Sequence, residues 1–219
     1  MDIIRRTALA LSLLLAASGS ASADGNFWLG MKAGTLGIGV EATWRPIDWL
    51  DLRLGGNRYD YDENGSQAGI NYSGTLQLQT YYASANLRFP LSPFRITVGA
   101  YSNSNEILLA SADSPIIEVG GITFTSTEVG SLASDTSWNS TSPYLGAGFD
   151  FELFGKVGLN FDFGVLLQGD PTVTLTADGT LAGDQLFMDA LEAERSELED
   201  DFDALKAYPV LSMGFSVNF

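Results

Sequence analysis

The 219-residue chain contains no cysteine and no histidine. Without thiols it has no disulfide framework, no thiolate nucleophile, no zinc–thiolate site and no N-terminal cysteine to carry a lipid. Without imidazole it lacks the side chain that most often moves protons or binds metals near neutral pH. Cations are scarce. There are 11 Lys and Arg against 27 Asp and Glu, a formal net charge of -16. Such a chain repels phosphate, so a nucleic-acid partner is not expected. Charge of either sign is scarce too, at 17% of residues, against about 25% in an ordinary soluble domain. What fills the chain instead is apolar residues, at 45%, and 24 glycines. Mean hydropathy is +0.09. With 13 Phe, 8 Tyr and 4 Trp, the chain has too much large apolar surface to stay unfolded in water.

Residues 1–23 read as a secretory signal peptide. Arg5 and Arg6 form the basic region, Thr7 to Ala17 the apolar stretch, and Ala21-Ser22-Ala23 the cleavage site. The mature chain then begins near Asp24, and residues 24–219 form one domain. This remainder has no apolar run of 18 residues, so no transmembrane helix is expected after the leader. If it spans a membrane, it does so as a closed barrel.

The dominant pattern in the mature chain has a period of two, the mark of strands with two unlike faces. Leu36, Ile38, Val40, Ala42 and Trp44 alternate with Gly37, Gly39, Glu41 and Thr43. Leu50, Leu52 and Leu54 alternate with Asp51, Arg53 and Gly55. The same holds for Phe94 to Ala100, Leu145 to Phe151, Val157 to Leu167 and Leu211 to Phe219. The second face decides between two readings. A soluble sandwich would carry Lys, Glu and Thr there. Here it carries Gly, Ser and Asn with isolated ions of both signs, which suits a narrow barrel interior behind a lipid-facing wall. Nine charges fall on the inward face: Lys32, Glu41, Asp51, Arg53, Arg88, Arg95, Asp150, Glu152 and Asp162. Buried ions must pair, so an internal salt-bridge network is expected, with a narrow ion path as the alternative.

Three connections are short: Arg45 to Trp49, Pro90 to Pro93 and Leu153 to Lys156. Three are long: Tyr59 to Tyr72, Asn105 to Pro143 and Gly169 to Tyr208. Aromatics cluster beside the short turns, at Trp44, Trp49, Phe89, Phe94, Phe151, Phe154 and Phe219, as one interfacial girdle. Tyr59, Tyr61, Tyr72, Tyr144 and Tyr208 are expected to form the other. The apolar phase changes twice. A β-bulge near Gln79-Thr80 would explain the switch in Ile70 to Pro90. Ala33-Gly34-Thr35 is either a turn or a second bulge. Eight antiparallel, up-and-down strands are expected, or ten if Gly120 to Thr127 joins the barrel.

On these residues the chain resembles the small outer-membrane β-barrels of Gram-negative bacteria, the OmpA and OmpW-like type. The C-terminal strand Tyr208 to Phe219, ending on Phe, looks like the signal read by the barrel-assembly machinery. The resemblance implies the outer membrane as location, with its lipids and lipopolysaccharide as partners, and a monomer. It carries over no ligand-binding residue.

One segment departs from a minimal barrel. Asp184 to Lys206 has helical spacing of Phe187, Leu191, Leu198, Phe202 and Leu205, with nine acids against Arg195 and Lys206. It is expected as a helix in the last extracellular loop, either as a solvated cap or as a surface that recruits divalent cations or a partner. Asp60-x-Asp62-x-Asn64-Gly65 matches half a calcium loop, but Asn71 stands at the twelfth position. A hairpin-tip Asn-Gly turn explains it more simply. Outer-membrane enzymes resemble one another in needing a histidine, so no catalytic, cofactor or metal residue is assigned and catalysis is not expected. The expected role is a structural or interaction scaffold with acidic extracellular loops. A narrow channel is the alternative, and a lipid-modifying enzyme a distant one.

Overall fold

A computed structural model describes residues 26–67, 70–112 and 115–219. The leader assignment lies outside the described residues. Eight strands close a ring: β1 (Phe27–Gly34), β2 (Gly37–Ile47), β3 (Leu50–Gln67), β4 (Ile70–Arg88), β5 (Phe94–Asn103), β10 (Thr141–Leu153), β11 (Val157–Leu167) and β13 (Ala207–Asn218). Each pairs antiparallel with its neighbours in that order. β1 and β13 shut the barrel from Trp28↔Asn218 to Gly34↔Ser212. Closure leaves no barrel edge to desolvate.

The alternation in the sequence is the wall itself. Outward residues such as Ile38, Val40, Leu54, Val98, Leu145, Leu211 and Met213 are each more than half exposed. Their inward neighbours Asp51, Arg53, Arg95 and Thr97 are buried. An apolar exterior around a polar interior inverts a soluble protein. No described helix is long and apolar enough to cross a membrane.

Both phase changes have physical causes. Between β1 and β2 the chain simply reverses, with Gly37 at φ 94, so Ala33-Gly34-Thr35 leads into a turn and supplies the eighth strand. The expected bulge at Gln79-Thr80 is absent. β3 and β4 pair without a register shift from Leu50↔Leu87 to Gln67↔Ile70. Instead the strands outgrow the membrane. Below Tyr81 the outward face meets lipid; above it that face becomes Gln79, Gln77 and Thr75, while Leu78 points inward and is buried. The segment Tyr59 to Tyr72 is therefore strand rather than loop, and its reversal lies outside the described residues.

The upper part of β4 carries a sheet above the barrel mouth. It pairs with β6 (Glu106–Ala112), which pairs with β9 (Leu132–Ser137), which pairs with β12 (Thr172–Ala177). A separate hairpin, β7 (Ile116–Val119) and β8 (Ile122–Thr125), leads into the short helix α1 (Ser126–Val129). The hairpin stays out of the ring, so the barrel has eight strands and not ten.

The acidic helix α2 spans Gln185–Asp201 and is followed by a 3-10 turn, Asp203–Lys206. Asp184 caps it by accepting from the backbone N–H groups of Leu186 and Phe187 at 3.0 and 3.2 Å. Phe187 and Ala190 pack with Ile117, Val119, Phe124 and Val129 into a core separate from the barrel. Phe124 meets Phe187 edge to face at 5.1 Å. Asp184→Ala is expected to remove about 0.5–2 kcal/mol of helix stability. Hydrogen exchange of the α2 amides should speed up accordingly, with barrel amides unchanged.

Candidate functional site: the barrel lumen and the platform above it

All nine inward charges expected from the alternation meet in the lumen, and a tenth, Arg45, joins them. Toward the short turns, Arg45 contacts Asp51 at 2.9 Å and Glu152 at 2.8 Å. Arg88 contacts Glu152 at 2.9 Å and faces Asp51 at 3.5 Å. Deeper in, Arg95 reaches Asp150 at 2.9 Å and Asp162 at 2.5 Å. It also donates to Thr97 Oγ1 at 2.8 Å. Arg53 reaches Asp150 at 3.1 Å and Glu41 at 3.4 Å. Lys32 faces Glu41 at 3.7 Å. Five cations thus stand among five anions. Arg45 escaped the sequence reading because it adjoins a turn. Its signal was its alternation with Trp44, in phase with Glu41 and Thr43.

Inward glycines make room for these groups. A Cβ on Gly148 would stand 2.8 Å from the Arg95 guanidinium carbon. The wall there must be glycine for the fork to lie flat against it.

An aromatic layer sits above the ions. Tyr82 stacks on Tyr101 at 4.8 Å, and Tyr101 meets Tyr144 at 5.3 Å. Leu36, Leu166 and Val210 complete the layer. Tyr82 ties it to the ions below by donating to Glu41 Oε2 at 2.6 Å, and the Lys32 ammonium lies 4.1 Å from its ring centre. The expected upper girdle is corrected here. Tyr144 is buried in the lumen and Tyr208 packs against its aromatic layer. Tyr59 and Tyr61 stack on one another at 6.3 Å on the part of β3 above the barrel. The Tyr72 side chain lies outside what is described. Inward and outward aromatics alternate by the same rule as any residue, so type alone did not place them.

Above the tyrosines comes an amide layer. Asn103 and Asn105 donate to Gln168 Oε1 at 3.1 and 3.3 Å. Gln168 donates to the Leu205 carbonyl at 2.9 Å, which fastens the end of the helical segment to the barrel rim. Below, a cavity of about 20 Å³ lies among Trp28, Arg45, Asp51, Arg53, Asp150 and Glu152. That is room for about one water molecule.

The platform holds most of the charge. Segments 58–79, 104–140 and 168–206 carry nineteen Asp and Glu against Arg58, Arg195 and Lys206. Arg195 bridges Glu192 and Glu199 within α2, both at 2.5 Å. Its hydrogen bond holds the Glu192 carboxyl below the usual glutamate range. Lys206 pairs with Asp170 at 2.6 Å and with Asp203. Glu128 is also held low, by hydrogen bonds from the Thr125 hydroxyl and backbone.

The calcium-loop half-motif does not form a site. Asp60, Asp62 and Asn64 lie along β3, paired with Gln77, Thr75 and Ser73. Asp60 and Asn64 stand about 13 Å apart along extended backbone, so the three side chains do not converge on one ion's oxygen shell, and no cluster of three metal-ligating side chains occurs among the described residues. Asp60 contacts Arg58 at 2.8 Å and Asp62 accepts from Thr75 at 2.8 Å. The hairpin-tip explanation is corrected as well, since Asn64-Gly65 lies within the strand.

A closed eight-stranded ring, lipid-facing outside and polar inside, is a transmembrane β-barrel of the outer-membrane type. Among solved structures it is similar to Acinetobacter baumannii CarO2, with a TM-score of 0.60 and 22% identity over 89% of this chain and 98% of that one. It is also similar to CarO of the same organism, with a TM-score of 0.57 and 24% identity over 88% and 97%. At this identity the likeness is one of fold. No family model matches the sequence, and no curated protein matches it either.

Proposed function

We propose that this barrel is a plugged membrane anchor that carries an acidic interaction platform, rather than a channel or an enzyme. One observation carries the reading: five cations and five anions cross-link the lumen under a tyrosine layer. An eight-stranded barrel is just wide enough for side chains to fill, and these side chains are tied wall to wall. An ion would have to part several buried pairs to pass, each costly to break. The lack of histidine removes the usual proton-transfer group. A monomer suits the uninterrupted lipid-facing wall. The bilayer lipids and lipopolysaccharide are the neighbours such a wall meets, and Phe219 ends the strand that the assembly machinery would read. The platform's excess of carboxylates favours cationic partners.

The test is conductance in planar bilayers. Purified protein is expected to give no discrete current steps in molar salt, whatever the voltage sign. Reproducible steps that vanish in Arg53→Ala or Arg95→Ala protein would establish the channel instead.

A further inference from the structure

At the short-turn end the chain reverses at residues 46–49, 89–93 and 154–156. Turn tips in water are built from Asn, Asp, Gly and Ser, which tolerate left-handed backbone and keep polar atoms in solvent. Here, beside Gly155 (φ 66), the left-handed positions belong to Leu91 (φ 61) and Phe154 (φ 55), the only non-glycine residues with positive φ among those described. Both carry the backbone strain of that conformation. Both side chains are also fully exposed, at 108% and 98%. The third tip presents Ile47 and Trp49, which are exposed as well.

The neighbouring charges turn the other way. Arg45, Arg88 and Glu152 fold into the lumen and pair there, leaving Asp48 and Lys156 on the tips. Polar side chains inward and apolar ones outward is the reverse of a turn in water.

The lipid-facing wall above the second tip is short. On β4 the outward apolar face runs from Tyr81 to Phe89 and gives way above to Gln79, Gln77 and Thr75. The eight steps from Tyr81 to Phe89, at about 3.3 Å each and tilted about 40°, rise roughly 20 Å. The apolar band of such barrels is about 25 Å tall. Leu91 supplies the missing height.

We infer that the three turn tips sit within the acyl–headgroup boundary of the phospholipid leaflet on that side, with Leu91 and Phe154 as anchors that set the depth of the barrel. The partner is lipid and not protein because the tips continue the lipid-facing wall through Trp44, Phe89 and Phe151, with Asp48 and Lys156 as their only charges. This seat is independent of whether the lumen conducts.

The chain has no cysteine, so single labels are unambiguous. Leu91→Cys and Phe154→Cys would be spin-labelled in phosphatidylethanolamine–phosphatidylglycerol vesicles. Leu54→Cys serves as the lipid reference and Thr180→Cys as the water reference. Collisions with oxygen are expected to exceed those with a water-soluble nickel chelate at 91 and 154, as at 54 and opposite to 180. Chelate collisions at 91 and 154 as frequent as at 180 would overturn the seat and leave the tips as a protein dock. Leu91→Asn with Phe154→Asn suits left-handed backbone, so this variant should fold as well as the parent in detergent. In vesicles it should raise chelate collisions at a Trp49→Cys label several-fold. An unchanged label at 49 would show that these residues do not set the depth.

Discussion

Arg95→Met is expected to cost the folded barrel about 3–5 kcal/mol, the usual penalty for removing one partner of a buried ion pair. The readout is a lower urea midpoint for vesicle-refolded protein, with loss of the heat-modifiable shift on gels. Arg95 is the largest fully buried side chain described, and its fork serves two carboxylates at once. Without it Asp150 and Asp162 are left to Arg53, and the lumen holds four cations against five anions. Arg95→Lys keeps the charge but not the planar fork, so it should fall between methionine and the parent. An Arg95→Met protein that unfolds with the parent would show that the network adds nothing to stability.

Tyr82→Ala is expected to cost about 3–5 kcal/mol, as removal of a large buried aromatic generally does. The ring is stacked on Tyr101 and faces the Lys32 ammonium, and its hydroxyl donates to Glu41. Tyr82→Phe keeps the packing and removes one charge-assisted hydrogen bond, with Lys32 and Arg53 still facing Glu41, so about 1.5–3 kcal/mol is expected. The difference between the two variants separates ring from hydroxyl. In a double-mutant cycle, Tyr82→Phe and Glu41→Gln should be non-additive, since the two residues share one hydrogen bond. Additive losses would place the Tyr82 contribution in packing alone.

Much of this site was legible along the chain because a strand has only two faces. Once Ile38, Val40 and Leu54 are placed outward, Glu41 and Arg53 have nowhere to go but in. The helix was equally plain, since its spacing and its lack of Gly and Pro agree. The upper tyrosines were not legible. Tyr81 and Tyr82 are the same residue type one position apart, yet one faces lipid and the other fills the lumen. The half-motif at Asp60 misled for a related reason: oxygen ligands at alternate positions can be a loop's inner rim or a strand's outer face. Only pairing with β4 tells them apart.

The sequence by itself determined the wall. Alternation, the short turns and the scarcity of charge require strands with a lipid face and a small polar face, while the choice of eight over ten fell to the structure, which keeps the β7–β8 hairpin out of the ring. The tertiary structure decided what the inner face does. Which cation meets which anion depends on register and shear across strands far apart in the chain, as Arg45 and Glu152 show. It also decided where the strands leave the membrane. The in-and-out alternation runs unbroken through β4 while its apolar phase flips near Gln79-Thr80, and only the pairing with β3 shows that the flip is a change from lipid to water and not a bulge.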